Sequence, residues 1–220
     1  MRCVIFDLDG TLADTSADLI EAANACFRAR GLGDLLDEAE DRLTAFHGGR
    51  AMLRLGFSRS GKDDAEVVEH TFPEFLKRYQ ECIDVRTVLY PDVVAAVDAL
   101  RDADYRVGIC TNKPEAQADL LLRRLGVRNR FASLVGADTL PVRKPDPKAF
   151  LESVTRAFGD PARSMLVGDT ETDVRTARAA GVPVAIVSFG PEGEGVARLA
   201  PDALLPDFKA LGRIVAELIG

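Results

Sequence analysis

The chain reads as an α/β protein, a parallel sheet covered by helices, with a small all-α domain inserted after the first strand. Three observations predict this. Short apolar runs at 3–6, 105–110, 134–136, 165–168 and 184–187 have the length and hydrophobicity of strands buried on both faces. Helical patterns at 93–102, 114–125, 147–158, 172–180 and 209–219 separate most of them, the order expected of a parallel sheet. From about 15 to 86 the alternation stops and only helical periodicity remains. The expected domains are an α/β core at 1–14 and 87–220 and a helical domain at 15–86.

Each element has a local reason. Cys3-Val4-Ile5-Phe6 forms a first strand that ends in Asp7, and Gly10 then allows a sharp turn. In the insertion, Leu19, Ile20, Ala23, Cys26 and Phe27 share one helical face, as do Phe72, Phe75, Leu76 and Tyr79. Pro73 is unfavourable inside a helix, so it is expected at a first turn, splitting that stretch in two. Asp14-Thr15 and 86–91 are the expected hinge strands. Further on, Asp146 can cap a helix whose first residue is Pro147, and Gly126 and Gly181 can close the helices before them.

Composition narrows the function. A net charge of −7 over 220 residues argues against a nucleic-acid surface, which needs basic patches. It leaves room for a small anionic substrate, because a local cation or metal overrides the global sign. Cys3, Cys26, Cys82 and Cys110 lack metal or redox spacing and read as free thiols, three of them buried. No apolar run is long enough for a membrane span, and the first strand starts too early to leave room for a signal peptide. A cytoplasmic protein is expected.

The chemistry gathers at strand ends. Asp7 and Asp9, two residues apart, start on the same side of the first strand, which suits a nucleophile beside a proton-handling acid. Alone, Asp9-Gly10 is equally an ordinary turn. Thr111-Asn112 follows the second core strand, with a helix N-terminus just beyond, and both features favour a phosphate. Lys144, in a tight loop before Pro145-Asp146-Pro147, can supply a fixed positive charge for a transferring phosphoryl group. Asp169 ends another strand after Gly168 and is a candidate metal ligand. Asp173 follows four residues later, and Thr170 with Asp173 has the spacing of a capping box. Two carboxylates about 4 Å apart repel by roughly 4 kcal/mol at an effective dielectric near 20, or about three pKa units. Crowding Asp7, Asp9 and Asp169 together therefore protonates some of them or recruits a cation, and oxygen donors beside a phosphate favour Mg²⁺.

In order and spacing these pieces resemble the haloacid dehalogenase superfamily of phosphohydrolases. Asp7 to Thr11 is similar to its first motif, Thr111 to its second, Lys144 to its third, and Gly168-Asp169 with Asp173 to its fourth. The resemblance implies a Rossmann-like parallel-sheet core and a cap domain that closes over the site. It further implies that Asp7 attacks phosphorus to form an aspartyl-phosphate, and that Asp9 protonates the leaving alcohol and then activates water. Thr111 and Lys144 would hold the phosphoryl oxygens. Mg²⁺ would bind Asp7, Asp169 and the main-chain carbonyl of Asp9, with Asp173 supporting it. An acid at Asp9 places the chain with the phosphatases, since a departing halide needs no proton.

Thr111-Asn112-Lys113-Pro114, Leu125-Gly126-Val127 and Arg143-Lys144-Pro145-Asp146-Pro147 further resemble phosphoglycolate phosphatases. Tyr90-Pro91-Asp92 departs from that pattern by carrying Asp where relatives have Gly. That resemblance adds Asn112 and, in the cap segment His47-Gly48-Gly49-Arg50, Arg50 as substrate-binding candidates. Arg50 reads equally well as a surface arginine.

Other readings are weaker. The stretch 56–63 nearly spells a P-loop, but Asp63 replaces the required hydroxyl and no core strand precedes it. No cysteine has an arginine six positions later, which excludes a cysteine-dependent phosphatase. His47 and His70 both fall in the insertion, away from the core motifs. The leading expectation is a Mg²⁺-dependent phosphatase of a small phosphorylated metabolite, 2-phosphoglycolate among the candidates. The alternatives are a phosphomutase of the beta-phosphoglucomutase type and a non-enzymatic phosphate-sensing relative.

Overall fold

The structure, a computed structural model, describes residues 1–62 and 64–220. The chain opens with β1 (Cys3–Phe6) and β2 (Ala13–Asp14), followed by α1 (Ser16–Arg28), α2 (Arg42–Phe46), α3 (Gly49–Arg59) and α4 (Ala65–Glu81). Next come β3 (Val88–Leu89), α5 (Val93–Asp102), β4 (Arg106–Cys110), α6 (Glu115–Arg124) and β5 (Ser133–Val135). The last third holds α7 (Pro147–Arg156), β6 (Ser164–Gly168), α8 (Glu171–Ala180), β7 (Val184–Val187), β8 (Ala203–Leu205) and α9 (Leu211–Ile219). Contacts divide the chain into two units, Met1–Ala13 with Leu89–Gly220, and Asp14–Val88.

The first unit is built on a six-stranded sheet in the order β5-β4-β1-β6-β7-β8, with every adjoining pair parallel. All residues of β1, β6 and β7 are buried, as the continuous apolar runs require of strands covered on both faces. Cys3, Ile5, Leu166, Val184 and Ile186 join Phe150 and Val154 of α7 and Val174 and Ala177 of α8 in one core cluster. The intervening Val4, Phe6, Met165, Val167 and Ala185 are equally buried, which places a second core on the opposite face. There α5 and α9 pack on each other, α5 against β4 and α9 against β6. The chain moves outward from β1 through β4 to β5, then jumps back across β1 to β6. Such a reversal opens a crevice beyond the carboxyl ends of the central strands.

Asp92, the departure noted above, adopts the left-handed conformation at φ 63°. A glycine takes that conformation without the Cβ penalty, which gives the resemblance at this position a physical basis.

The second unit is helical. In it α1 packs on α4 and α3, with Phe27 and Phe57 edge to face at 5.1 Å between ring centroids. The return of the chain is pinned by Asp18 on α1, a buried carboxylate that accepts hydrogen bonds from the main chain of Arg86 and Thr87 and from the Thr87 hydroxyl.

One expectation fails here. Pro73 does not split its stretch, because α4 runs unbroken from Ala65 to Glu81 with the proline inside. The interior proline costs about 3 kcal/mol. Burial of Val68, Thr71, Phe75 and Tyr79 along one face outweighs it. The expected hinge segments at 14–15 and 86–91 overlap the short pair β2–β3, whereas β8, three residues long, was absent from the sequence reading because it is too short for periodicity to register. Of the P-loop-like stretch, Gly56 to Arg59 complete α3, and Asp63 lies outside the described residues. Among the described residues no helix is long and apolar enough to cross a membrane.

Candidate active site

Parallel pairing brings the ends of β1, β4 and β6 to one rim. Phe6 lies beside Ile109 of β4 and Val167 of β6, so Asp7, Thr111 and Asp169 emerge together. The Asp7 N–H continues the ladder to the Val167 carbonyl at 2.8 Å, and the Thr111 N–H does the same to Val135 at 2.9 Å. The Asp7 carboxylate is therefore held from behind. Its Oδ1 accepts the Leu8 N–H at 2.7 Å, and its Oδ2 lies 2.9 Å from Lys144 Nζ.

Lys144 is the hub of the site. Its side chain is only 1% exposed, and Nζ contacts Asp173 Oδ1 at 2.6 Å as well as Asp7. The loop carrying it is braced by Asn112, whose Nδ2 donates to the Lys144 carbonyl at 3.1 Å. Asp173 is fully buried on the first turn of α8. Its second oxygen accepts from the main-chain N–H groups of Thr170 (3.1 Å) and Asp169 (3.3 Å) and from the Thr170 hydroxyl (2.9 Å). The capping box foreseen in the sequence is thus present, and the same carboxylate also anchors Lys144. Gly168 is needed for this fit: a Cβ there would sit 2.3–2.5 Å from the Asp173 carboxyl group. Asp169 accepts the Thr11 hydroxyl at 3.0 Å.

Charge crowding perturbs these groups. Burial pushes the Asp7 carboxyl up to about 6, against the pull of the Lys144 ammonium. Burial, then the Asp173 and Asp7 carboxylates, push Asp169 well above the usual carboxylate range. Burial disfavours the Lys144 ammonium, but Asp173 and Asp7 outweigh it and hold its pKa above the usual lysine value. Asp7, Asp169 and Asp173 each offer an oxygen within 4.8 Å of the others. An all-oxygen donor set of this size fits a hard divalent cation.

The model of the haloacid dehalogenase-like hydrolase family matches residues 4–187. The chain belongs to that family. It is 39% identical over 216 residues to a phosphoglycolate phosphatase of Mesorhizobium japonicum, covering 97% of this chain and 94% of the relative. A phosphoglycolate phosphatase of Rhodospirillum rubrum is 38% identical over 216 residues, with 96% and 89% covered. A solved hydrolase from Pseudomonas syringae superposes with a TM-score of 0.77 over the full length of both chains at 20% identity, a likeness of fold.

Several residues of this hydrolase have partners that the sequence did not disclose. Lys113, in the segment Thr111-Asn112-Lys113-Pro114, carries no role assigned from the sequence. Its side chain is 3% exposed, and its Nζ lies 2.8 and 2.9 Å from the two oxygens of Asp9. The signal available was a lysine directly after Thr111-Asn112, at the same rim as the acids. The Thr111 hydroxyl accepts the Lys113 N–H at 3.2 Å, and the Glu115 N–H at the start of α6 is taken by Asp138 at 2.8 Å. That amide, expected to face a phosphate, is therefore engaged elsewhere. Arg50 lies in the helical unit, where its guanidinium forms a two-pronged pair with Glu69 (2.7 and 3.0 Å) and stacks 3.6 Å from the Phe72 ring centroid.

Proposed function

We propose that this enzyme hydrolyses a small phosphate monoester, 2-phosphoglycolate being the first candidate, through a phosphorylated Asp7. One observation carries the reading: a buried carboxylate at the end of the central strand, fixed by Leu8 N–H and Lys144, faces Asp169 and Asp173 across one rim. The similarity to phosphoglycolate phosphatases over nearly the whole chain supports the choice of substrate.

In this reading an Asp7 oxygen attacks phosphorus, the P–O ester bond breaks, and the leaving alkoxide takes its proton from Asp9. Asp9 then removes a proton from water as the water attacks the acyl phosphate, which releases phosphate and restores the Asp7 carboxylate. Lys144 holds Asp7 in line and faces the phosphoryl oxygens together with the Thr111 hydroxyl. Asn112 keeps the Lys144 loop in place and is the further contact at that edge.

Mg²⁺ would be held by Asp7, Asp169 and the Asp9 main-chain carbonyl, with Asp173 contributing from the α8 cap. When bound, it supplies charge neutralisation between the nucleophile and the phosphoryl oxygens. Counting formal charges among the described residues, Asp7, Asp9, Asp169 and Asp173 lie with Lys113 and Lys144, an excess of two negative charges that one divalent cation would cancel. We assign the helical unit the role of cap, and keep Arg50 in that unit as a candidate substrate-binding residue.

The test is phosphate release over a panel of phosphorylated metabolites, with and without Mg²⁺. We expect turnover that EDTA abolishes and Mg²⁺ restores. Asp7→Asn should be inactive yet folded, and Asp9→Asn strongly impaired. Near-normal turnover by Asp7→Asn sinks the proposed nucleophile. Phosphoryl transfer to a sugar hydroxyl without phosphate release would instead identify a mutase.

A further inference from the structure

At the rim away from the acids, where the strands begin, the backbone holds an aromatic residue in a conformation that suits glycine. Helix α7 ends in a Schellman turn: the Phe158 N–H bonds to the Thr155 carbonyl and the Gly159 N–H to the Val154 carbonyl, both at 2.9 Å. Phe158 takes the left-handed position of that turn at φ 59°, and it is 79% exposed. Met1, whose carbonyl accepts the Asp160 N–H, is 52% exposed. An aromatic ring left in water on a strained backbone adds nothing to the packing of its own chain.

The same rim holds a cleft of about 820 Å³, ample for a benzyl side chain, whose walls include Met1, Arg101, Asp102, Asp104, Tyr105 and Arg106. Through Arg101 and Asp102 the cleft belongs to α5, on the face of the sheet opposite α7. Phe158 belongs to the α7 face, since Gly159 beside it lies against Cys3 in that core cluster. Met1 lines the cleft and is joined through its carbonyl to the turn after Phe158. We infer that this rim is the interface of a homodimer in which Phe158 of each copy enters the cleft of the other. A two-fold axis along the rim exchanges the two faces of the sheet, so each anchor meets a cleft and every contact is made twice. In the cleft the ring meets Tyr105 and arginine guanidinium groups, both favourable partners for an aromatic side chain. Charge agrees. Asp102 and Asp104 in the cleft, and Arg163 just beyond Phe158, are exposed and have no ion pair among the described residues. Exchanging the two faces brings these opposite charges toward each other, which favours a second copy of this chain as the occupant. The interface lies at the amino ends of the strands and stands independently of the phosphatase reading.

The experiment is sedimentation velocity on the full chain over a range of concentrations. At about 100 μM the wild type should sediment with twice the mass of one chain. Phe158→Gly should weaken association by at least about 100-fold, as expected of a central aromatic anchor. At a concentration where both proteins are monomers, that variant should unfold at no lower urea than the wild type, because glycine takes the left-handed turn freely. Arg163→Glu should weaken association about 10-fold, and adding Asp102→Arg and Asp104→Arg to the same chain should restore it. A wild type that stays monomeric at about 100 μM overturns the inference. So does a dimer that Phe158→Gly leaves intact, or a charge-swapped chain that fails to re-associate. A Phe158→Gly monomer less stable than the wild-type monomer also overturns it, by showing that the ring serves the fold of its own chain.

Discussion

Lys144→Met is the sharpest perturbation the structure offers. Nζ lies 2.9 Å from Asp7 and 2.6 Å from Asp173. At about 3 Å and an effective dielectric near 20, each attraction is roughly 5 kcal/mol, with several kcal/mol of ammonium desolvation set against the pair. Methionine preserves the volume but leaves two buried carboxylates facing each other with no counter-charge. Breaking a buried pair from one side costs about 3–5 kcal/mol. Urea unfolding in EDTA buffer should therefore lose that much stability, and kcat should fall at least about 1000-fold as Asp7 loses its fixed partner. The double variant Lys144→Met/Asp173→Asn adds a control. An asparagine at 173 can keep its carbonyl oxygen on Thr170 and Asp169, as the second Asp173 oxygen does now. It also removes the stranded charge, so it should recover about 1–3 kcal/mol relative to the single variant. A loss below about 1 kcal/mol in Lys144→Met, or strictly additive costs in the double variant, would refute this account of the hub.

Three further outcomes are expected. Mg²⁺ at 100 times its dissociation constant should raise the unfolding free energy by about 2.7 kcal/mol, an effect lost in Asp169→Asn and measurable by denaturation without any substrate. Gly168→Ala should cost about 1–3 kcal/mol and cut turnover at least about 10-fold, because the added methyl collides with an Asp173 carboxyl group that four contacts hold in place. Asp41 supplies a pH test away from the site. Burial raises its carboxyl, but the Arg59 guanidinium and the Asp37 N–H outweigh burial and hold it below the usual carboxylate value. A depressed carboxyl contributes stability above its unfolded pKa and loses that contribution as pH falls through its folded value. The difference between wild type and Asp41→Asn, about 1 kcal/mol because Arg59 is partly exposed, should be full at pH 6 and vanish in acid.

The strand ends were legible in the sequence because each couples two independent signals. Phe6 to Asp7 and Gly168 to Asp169 pass abruptly from an unbroken apolar run to a carboxylate, and a parallel sheet must bring such ends to one rim. The α8 capping box was legible for the same reason, since its Thr170–Asp173 spacing is local. Burial of the two lysines was not. Their neighbours in the chain mark the rim but not the burial, because their anions lie 104 residues away at Asp9 and 29 residues away at Asp173. Pro73 shows the converse error, in which a strong local preference was trusted over packing that only the folded helices reveal.

The sign of the whole chain is a poor guide to what its site accepts. With a net charge of −7 the protein repels anions at long range, but at physiological ionic strength that field is screened within about 8 Å. Inside the rim the balance is local. Four carboxylates against two ammonium groups leave an excess of two negative charges, which a bound divalent cation would cancel. The acids are thus spent on different tasks by their neighbours. Asp173 is committed to Lys144 and the α8 cap, Asp169 has an oxygen to offer a metal, Asp7 is aimed outward between Leu8 and Lys144, and Asp9 is parked on Lys113. Asp9 meets the Lys113 ammonium through both oxygens, so where that side chain lies sets how the acid is turned.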